Sequence, residues 1–107
     1  ISFGDNVHVA SGVTFVNHDI TCMMFNYMDK EHQYKLRQGE ITIGNNVFIG
    51  AKSTVLYDVT IGDNVIIGAG SLVNKDIPSG TVAAGVPCRV IGKFKDYQQK
   101  MKKEESE

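Results

Sequence analysis

In the stretch IGDNVIIGAGSLV, residues 61–73, a large apolar residue returns at every sixth position. Ile61, Ile67 and Val73 share this phase, and a glycine follows the first two. An amphipathic helix would need a period of 3.6 residues, and a half-buried strand a period of 2. Six is a multiple of two, so the phase allows short strands that are separated by turns.

The same phase extends in both directions along the chain. The apolar positions that share it are Phe3, Val9, Phe15, Ile43, Ile49, Val55, Ile61, Ile67 and Val73. A four-residue motif, Gly-Asp/Asn-Asn-Val, recurs at 4–7, 44–47 and 62–65, and its last two copies start 18 residues apart. Three six-residue repeats therefore make one larger unit.

A turn at every sixth residue closes three short strands into one 18-residue coil. Stacked coils pair as parallel strands about 4.8 Å apart, and each coil buries its apolar ladder against its neighbours. Gly and Asn suit the corners because they tolerate left-handed backbone angles. We therefore predict an all-β chain, a parallel β-helix with coils at 3–20, 43–60 and 61–78. An antiparallel β-sandwich is the alternative, but it gives no reason for a six-residue phase.

Two segments depart from the repeat. The phase breaks after Ile20 and returns after 22 extra residues, which predicts a protruding loop at 21–42, and long loops in compact domains are usually functional. The tail has Phe94, Tyr97 and Met101 at helical spacing. We expect a β-helix domain at 1–92 and a short C-terminal helix within 93–107 that covers the open end of the solenoid.

The beginning of the chain gives a separate expectation. Ile1 begins inside a coil with no cap before it, and solenoids need terminal caps. We expect either further sequence upstream or a second chain over this end.

Composition and charge bound the function. The formal net charge is −1, whereas a nucleic-acid-binding protein normally shows a basic face, so we expect no nucleic-acid partner. No apolar run approaches the ~20 residues that span a bilayer, and no basic-then-apolar leader is visible. We therefore expect a cytoplasmic protein with no membrane partner. Cys22 and Cys88 form no Cys-x-x-Cys pair, and we expect reduced thiols.

Residues 41–92 resemble the hexapeptide-repeat acyltransferases. The resemblance rests on residues 61–71, on VNKDIP at 73–78 and on VAAGVPCRVI at 82–91, which are similar to the C-terminal half of galactoside, maltose and capsular-saccharide O-acetyltransferases. The resemblance implies a left-handed β-helix, a homotrimer and acetyl-CoA as the acetyl donor.

The segment TFVNHD at 14–19 is similar to the Asn-His-Asp of the capsular-saccharide branch, which implies that His18 is the catalytic base. His18 also lies where the loop starts, and an unperturbed imidazole titrates near pH 6.5. Asp19 falls on an inward position, where a carboxylate is costly unless it is paired. Either the coil unwinds there or Asp19 meets a donor such as His18.

The expected reaction is direct acetyl transfer to a saccharide hydroxyl. His18 removes the hydroxyl proton, and a backbone N–H or the Asn17 amide stabilises the oxyanion. Cys22 is an alternative nucleophile, but the sequence shows no group that would activate it.

For the donor, small residues at Ala51, Gly68 and Ala69 would line a groove for pantetheine. The resemblance also places three polar residues near the CoA phosphates, where a cation is charge-assisted. They are Asn74, Lys75 and Arg89.

Three alternative functions remain compatible with the sequence. The same base would serve N-acetylation of an amino sugar. A zinc hydratase on this fold would need three converging imidazoles, and the chain has His8, His18 and His32 without His-x4-His spacing, so we expect no metal. A non-catalytic scaffold or fragment is the third alternative.

Overall fold

The computed structural model describes residues 1–106. These residues form thirteen short strands and two helices. In chain order they are β1 (Ser2–Phe3), β2 (Val7–Val9), β3 (Thr14–Val16), β4 (His18–Asp19), α1 (Thr21–Met28), β5 (Arg37–Gln38), β6 (Thr42–Ile43), β7 (Val47–Ile49), β8 (Thr54–Leu56), β9 (Thr60–Ile61), β10 (Val65–Ile67), β11 (Leu72–Val73), β12 (Thr81–Ala84), β13 (Arg89–Lys93) and α2 (Phe94–Glu105).

The strands stack into three parallel faces. The first face contains β1, β6 and β9, the second contains β2, β7, β10 and β12, and the third contains β3, β8 and β11. Equivalent residues of successive coils lie in register, as with Val47 opposite Val65 and Thr54 opposite Leu72. This is the parallel β-helix that the six-residue phase predicts, with the loop inserted after its first coil.

Three corners join the faces, and asparagines build the first of them, between the first and second faces. Asn6, Asn46 and Asn64 have φ of 59°, 58° and 55°, a left-handed conformation that asparagine tolerates better than most residues. Their side chains form a ladder in which Asn6 donates to Asn46 at 2.9 Å and Asn46 donates to Asn64 at 3.0 Å. The recurring Gly-Asp/Asn-Asn-Val motif therefore forms this corner.

The second corner, between the second and third faces, explains why small residues follow the inward apolar ones. A Cβ added to Gly50 would lie 2.5 Å from the backbone nitrogen of Ala69 in the next coil. Since the contacted atom belongs to the backbone, it cannot move aside as a side chain would. Only glycine fits this position at the spacing of parallel strands.

The core is a column of apolar side chains that point into the coil. Phe3 and Val9 share the phase of this column but are about half exposed, because the first coil has a neighbouring coil on one side only. The buried members of the column are Ile41, Ile43, Val47, Ile49, Val55, Val59, Ile61, Val65, Ile67, Val73, Ile77, Ala83 and Cys88.

The short C-terminal helix is confirmed as α2, but its position differs from the prediction. Strand β13 runs antiparallel to β12, and Phe94, at the start of α2, borders clefts with Phe48 and Ile66 of the second face and with Asn64 of the first corner. The helix therefore starts alongside the coils and does not cover their open end. The helix begins at Phe94, directly after the last residue of β13, because the backbone of Lys93 is still extended.

Candidate active site

The loop leaves the coil at the third corner, between the third and first faces, as a two-stranded ribbon. Strand β4 pairs antiparallel with β5, so that His18 lies opposite Gln38 and Asp19 lies opposite Arg37. The loop returns at Gly39, which packs closely against the next coil. The ribbon therefore holds both ends of the loop at one corner.

His18 and Asn17 are in direct contact at this corner. The Nδ1 atom of His18 lies 2.7 Å from Oδ1 of Asn17, and the imidazole is exposed. An amide oxygen only accepts, so Nδ1 carries the proton and Nε2 of the neutral ring has the free lone pair. The pair thus presents a proton acceptor toward solvent.

A cleft of about 330 Å³ opens beside Asn17, and it is lined by Gln38 and residues 39–41 as well. The sequence pattern does not indicate Gln38, because the six-residue phase contains no signal for the antiparallel pairing inside the loop. Side chains directly opposite each other in such a pair share one face of the ribbon. Gln38 therefore belongs with His18.

Asp19 takes neither an inward position nor a bond to His18. The coil has already ended there, and Oδ1 of Asp19 accepts the backbone N–H of Thr21 at 2.8 Å. This backbone hydrogen bond is the main cause that lowers the pKa of the Asp19 carboxyl, followed by the Thr21 side chain. Asp19 lies in the ribbon outside the coil, and the donor that its carboxylate meets is the backbone of Thr21 rather than His18.

The rest of the loop is organised around Tyr34. Its N–H donates to Oδ1 of Asn26 at 2.6 Å, and its hydroxyl donates to Asp29 at 3.0 Å. The Tyr34 hydrogen bond to Asp29 raises the pKa of the phenol. The ring lies 5.2 Å from that of Phe25. These contacts give the loop its own small packed structure.

The small residues predicted for the donor groove lie together at the second corner. The N–H of Gly68 donates to Ala83, and its carbonyl accepts the hydroxyl of Ser71 at 2.6 Å. Both polar backbone groups of Gly68 are therefore used within the coil. Ala51 and Ala69 lie at the same corner of successive coils. A pantetheine groove at this corner would therefore have to use the backbone polar groups of these two alanines.

The polar donor-site candidates divide between two places. Arg89 lies opposite Ala84 in the β12–β13 pair, and Ala84 packs over Gly68, which puts Arg89 near the second corner. Asn74 and Lys75 follow β11 and are both exposed at the third corner. One chain thus does not gather all of its donor-site candidates at one corner.

The other two histidines lie away from His18. His8 is on the second face, with Nε2 2.8 Å from Oδ1 of Asn6. His32 packs edge-on against Tyr34 in the loop, with the ring centres 4.6 Å apart. The three imidazoles do not converge, and within residues 1–106 no cluster of three or more His, Cys, Asp or Glu side chains could hold a metal ion.

Cys22 and Cys88 are separate free thiols, and burial is the main cause that raises the pKa of Cys88. Neither helix in the described part of the chain is long and apolar enough to cross a membrane.

Comparison with known proteins identifies the repeat. The bacterial transferase hexapeptide family (six repeats) matches residues 40–75. Galactoside O-acetyltransferase of Escherichia coli (strain K12) is 46% identical over 103 residues, which cover 90% of this chain and 45% of that protein.

Two solved structures share the fold. A galactoside acetyltransferase in complex with coenzyme A aligns with a TM-score of 0.74 and 44% identity over 91% of this chain and 46% of that one. A maltose O-acetyltransferase from Clostridium difficile 630 aligns with a TM-score of 0.69 and 36% identity over 86% of this chain and 55% of that one.

The chain spans about half the length of these relatives. The matched repeats agree with the stacked coils, and most of the chain takes part in the similarity. Residues 40–75 are therefore similar to the bacterial transferase hexapeptide family, in the part of the chain that forms the stacked coils.

Proposed function

We propose that this chain is the β-helix part of an acetyl-CoA-dependent O-acetyltransferase that acts on a saccharide hydroxyl, with His18 as general base. The observation that carries the proposal is the hydrogen bond between His18 and Asn17 at the mouth of the loop. It leaves Nε2 free to accept a proton in an exposed position, next to Asn17, which lines a cleft. The similarity to a galactoside and a maltose O-acetyltransferase supports the reaction class.

In the proposed reaction, Nε2 of His18 takes the proton of the acceptor hydroxyl. The oxygen attacks the thioester carbonyl of acetyl-CoA, and the tetrahedral intermediate collapses by breaking the C–S bond. The thiolate of CoA then takes the proton from His18, which returns the base to its starting state. With its oxygen on His18, Asn17 still has two amide N–H donors for the oxyanion.

For the donor, we propose Ala51, Gly68 and Ala69 as the walls of a groove and Arg89 as a phosphate ligand. The coenzyme A complex of the similar galactoside acetyltransferase supports this choice of donor. All four residues lie at or near the second corner of the coil.

Asn74 and Lys75 are proposed as further donor contacts. They share the third corner with His18, whereas the groove residues lie near the second corner. We propose that corners from two chains together form the complete site.

We therefore propose that the chain forms a homotrimer of left-handed β-helices. In a closed ring, each contact joins two different surfaces of identical chains. The second corner of one chain can then face the third corner of its neighbour, which brings a donor groove to His18. A cytoplasmic location stays a prediction from the sequence.

N-acetylation of an amino sugar is the second candidate, because the same base would deprotonate an ammonium or amine acceptor. A zinc hydratase is disfavoured by the separate positions of the three histidines. A scaffold without activity makes a different prediction, since it would bind no CoA.

The test measures CoA release from acetyl-CoA with a panel of neutral, acidic and amino saccharides. We expect His18→Ala to lower the rate by about 10²–10⁴-fold, while a CoA titration still raises the melting temperature. His8→Ala is the matched control, because His8 is also exposed and bonded to an asparagine. Equal rates in His18→Ala and the native protein would refute the base, and a melting temperature that millimolar CoA leaves unchanged would refute the donor site.

A further inference from the structure

The loop contains a second cavity, on the side of the ribbon away from His18. Successive side chains of a strand point to opposite faces, so Asp19 and Arg37 share one face while His18 and Gln38 share the other. The cavity has a volume of about 400 Å³ and is separate from the cleft beside Asn17. Its walls include Asp19, Phe25, Tyr34, Lys35 and Arg37.

The charges in this cavity favour an anion. Lys35 and Arg37 contribute two positive charges and Asp19 one negative charge, which leaves a formal sum of +1. Within residues 1–106, no salt bridge joins Lys35 or Arg37 to a carboxylate. Asp19 already accepts the N–H of Thr21. Arg37 is the last of the causes that lower the pKa of Asp19 and acts there only through its charge, so among the described residues neither cation is held in a salt bridge.

The remaining walls suit a sugar ring. Phe25 and Tyr34 lie 5.2 Å apart with their planes tilted by 32°, and they present apolar surface beside polar groups. Asn26 and Asp29 hold Tyr34 in place through hydrogen bonds of 2.6 and 3.0 Å. Fixed aromatic walls with a few polar groups are typical of small-molecule sites, and a preorganised wall loses little entropy on binding.

We propose that this cavity is a subsite for an anionic saccharide residue of the acceptor. The carboxylate or phosphate of the ligand binds between Lys35 and Arg37, and its ring packs on Phe25 and Tyr34. Arg37 offers the planar pair of donors that matches either anion. The inference rests on the proposed function and narrows the acceptor to an acidic saccharide.

Binding by titration calorimetry or NMR tests this subsite without catalysis. The probes are glucuronate, glucose 6-phosphate and glucose, and the proteins are the native chain, Lys35→Gln, Arg37→Gln and the control Lys102→Gln. Lys102 lies on α2 and undergoes the same charge change. We expect an anionic probe to bind at least about tenfold more tightly than glucose in the native chain and the control only.

Three outcomes would overturn the proposal. The first is equal affinity for the three probes, and the second is an anion preference that persists in both cavity variants. The third is displacement of glucuronate by 3′,5′-ADP that depends on Arg37, which would show that the cavity binds the donor. Whether glucuronate or glucose 6-phosphate binds more tightly identifies the anion as carboxylate or phosphate.

The same probes separate this inference from the proposed function. In His18→Ala we expect the anion preference to persist while acetyl transfer is lost. A preference with unchanged transfer would refute only the base, whereas lost transfer without a preference in any protein would refute only the subsite.

Discussion

The side-chain oxygen of Asn17 lies 2.7 Å from Nδ1 of His18, at the corner where the loop leaves the coil. This contact fixes which ring nitrogen carries the proton. It also places any charge introduced at position 17 directly beside the imidazole. Asn17 is therefore the position at which the proposed base can be tuned.

Replacement of Asn17 by aspartate puts a negative charge beside Nδ1. The charge favours the imidazolium over the neutral ring, so less neutral base is present at pH 6–7. The acidic limb of kcat/KM should therefore move to higher pH by about one unit. The measurement is the pH–rate profile of CoA release for the native protein and Asn17→Asp. An unchanged acidic limb would show that the titrating base lies elsewhere.

The hydrogen-bonded carboxyl of Asp19 should make the stability of the fold depend on pH. The hydrogen bond from Thr21 favours the ionised carboxylate, so the pKa of Asp19 is lower in the folded chain than in the unfolded one. The stabilisation is therefore complete above the unfolded pKa and is lost as the pH falls through the folded pKa. NMR titration of the Thr21 amide should give a midpoint below that of Asp in a model peptide, about 3.9. A midpoint at or above that value would contradict the hydrogen bond.

Two adjacent isoleucines test the core. Ile67 is fully buried, whereas Ile66 is only half buried on the outer side of β10. Ile67→Ala leaves a cavity and should lower the free energy of unfolding by about 2–5 kcal/mol. Ile66→Ala, the matched control, should cost clearly less. Denaturant unfolding at one fixed protein concentration measures both, and equal losses would contradict the inward assignment of Ile67.

Two glycines test the spacing of the coils. A Cβ at Gly50 would meet the backbone of Ala69, whereas no atom lies within 4 Å of a Cβ at Gly92. Gly50→Ala should therefore lower the free energy of unfolding by about 1–3 kcal/mol through overpacking, and Gly92→Ala should leave it nearly unchanged. Thermal unfolding compares them, and a harmless Gly50→Ala would show that the coils can separate locally.

Much of the fold could be predicted because each six-residue repeat contains the signals for its own structure. The inward apolar residue, the small residue after it and the corner asparagine lie within a few positions of each other. Successive coils repeat this local pattern, so its phase locates Ile49, Ile67 and Val73 without any long-range information. The tail was less predictable, because the position of Phe94 beside the second face depends on where β13 ends.

The candidate site was predicted only in part. His18 and Asn17 are neighbours in sequence, and the break in the phase marks the place where they stand. The bond from Thr21 to Asp19 and the pairing of His18 with Gln38 depend on how the loop folds back. No period in the sequence indicates such a contact, because the loop does not repeat.

The coil, its corners and the point where the loop leaves it all follow from the amino-acid sequence, since a repeated unit can bury its apolar face only by stacking. The contacts inside the loop became visible only in the folded chain. There Gln38 stands beside His18, and Lys35 and Arg37 surround a cavity on the other side of the ribbon. The physical reason is that antiparallel pairing joins residues that are distant in sequence, and the side-chain alternation of a strand then divides them between two faces.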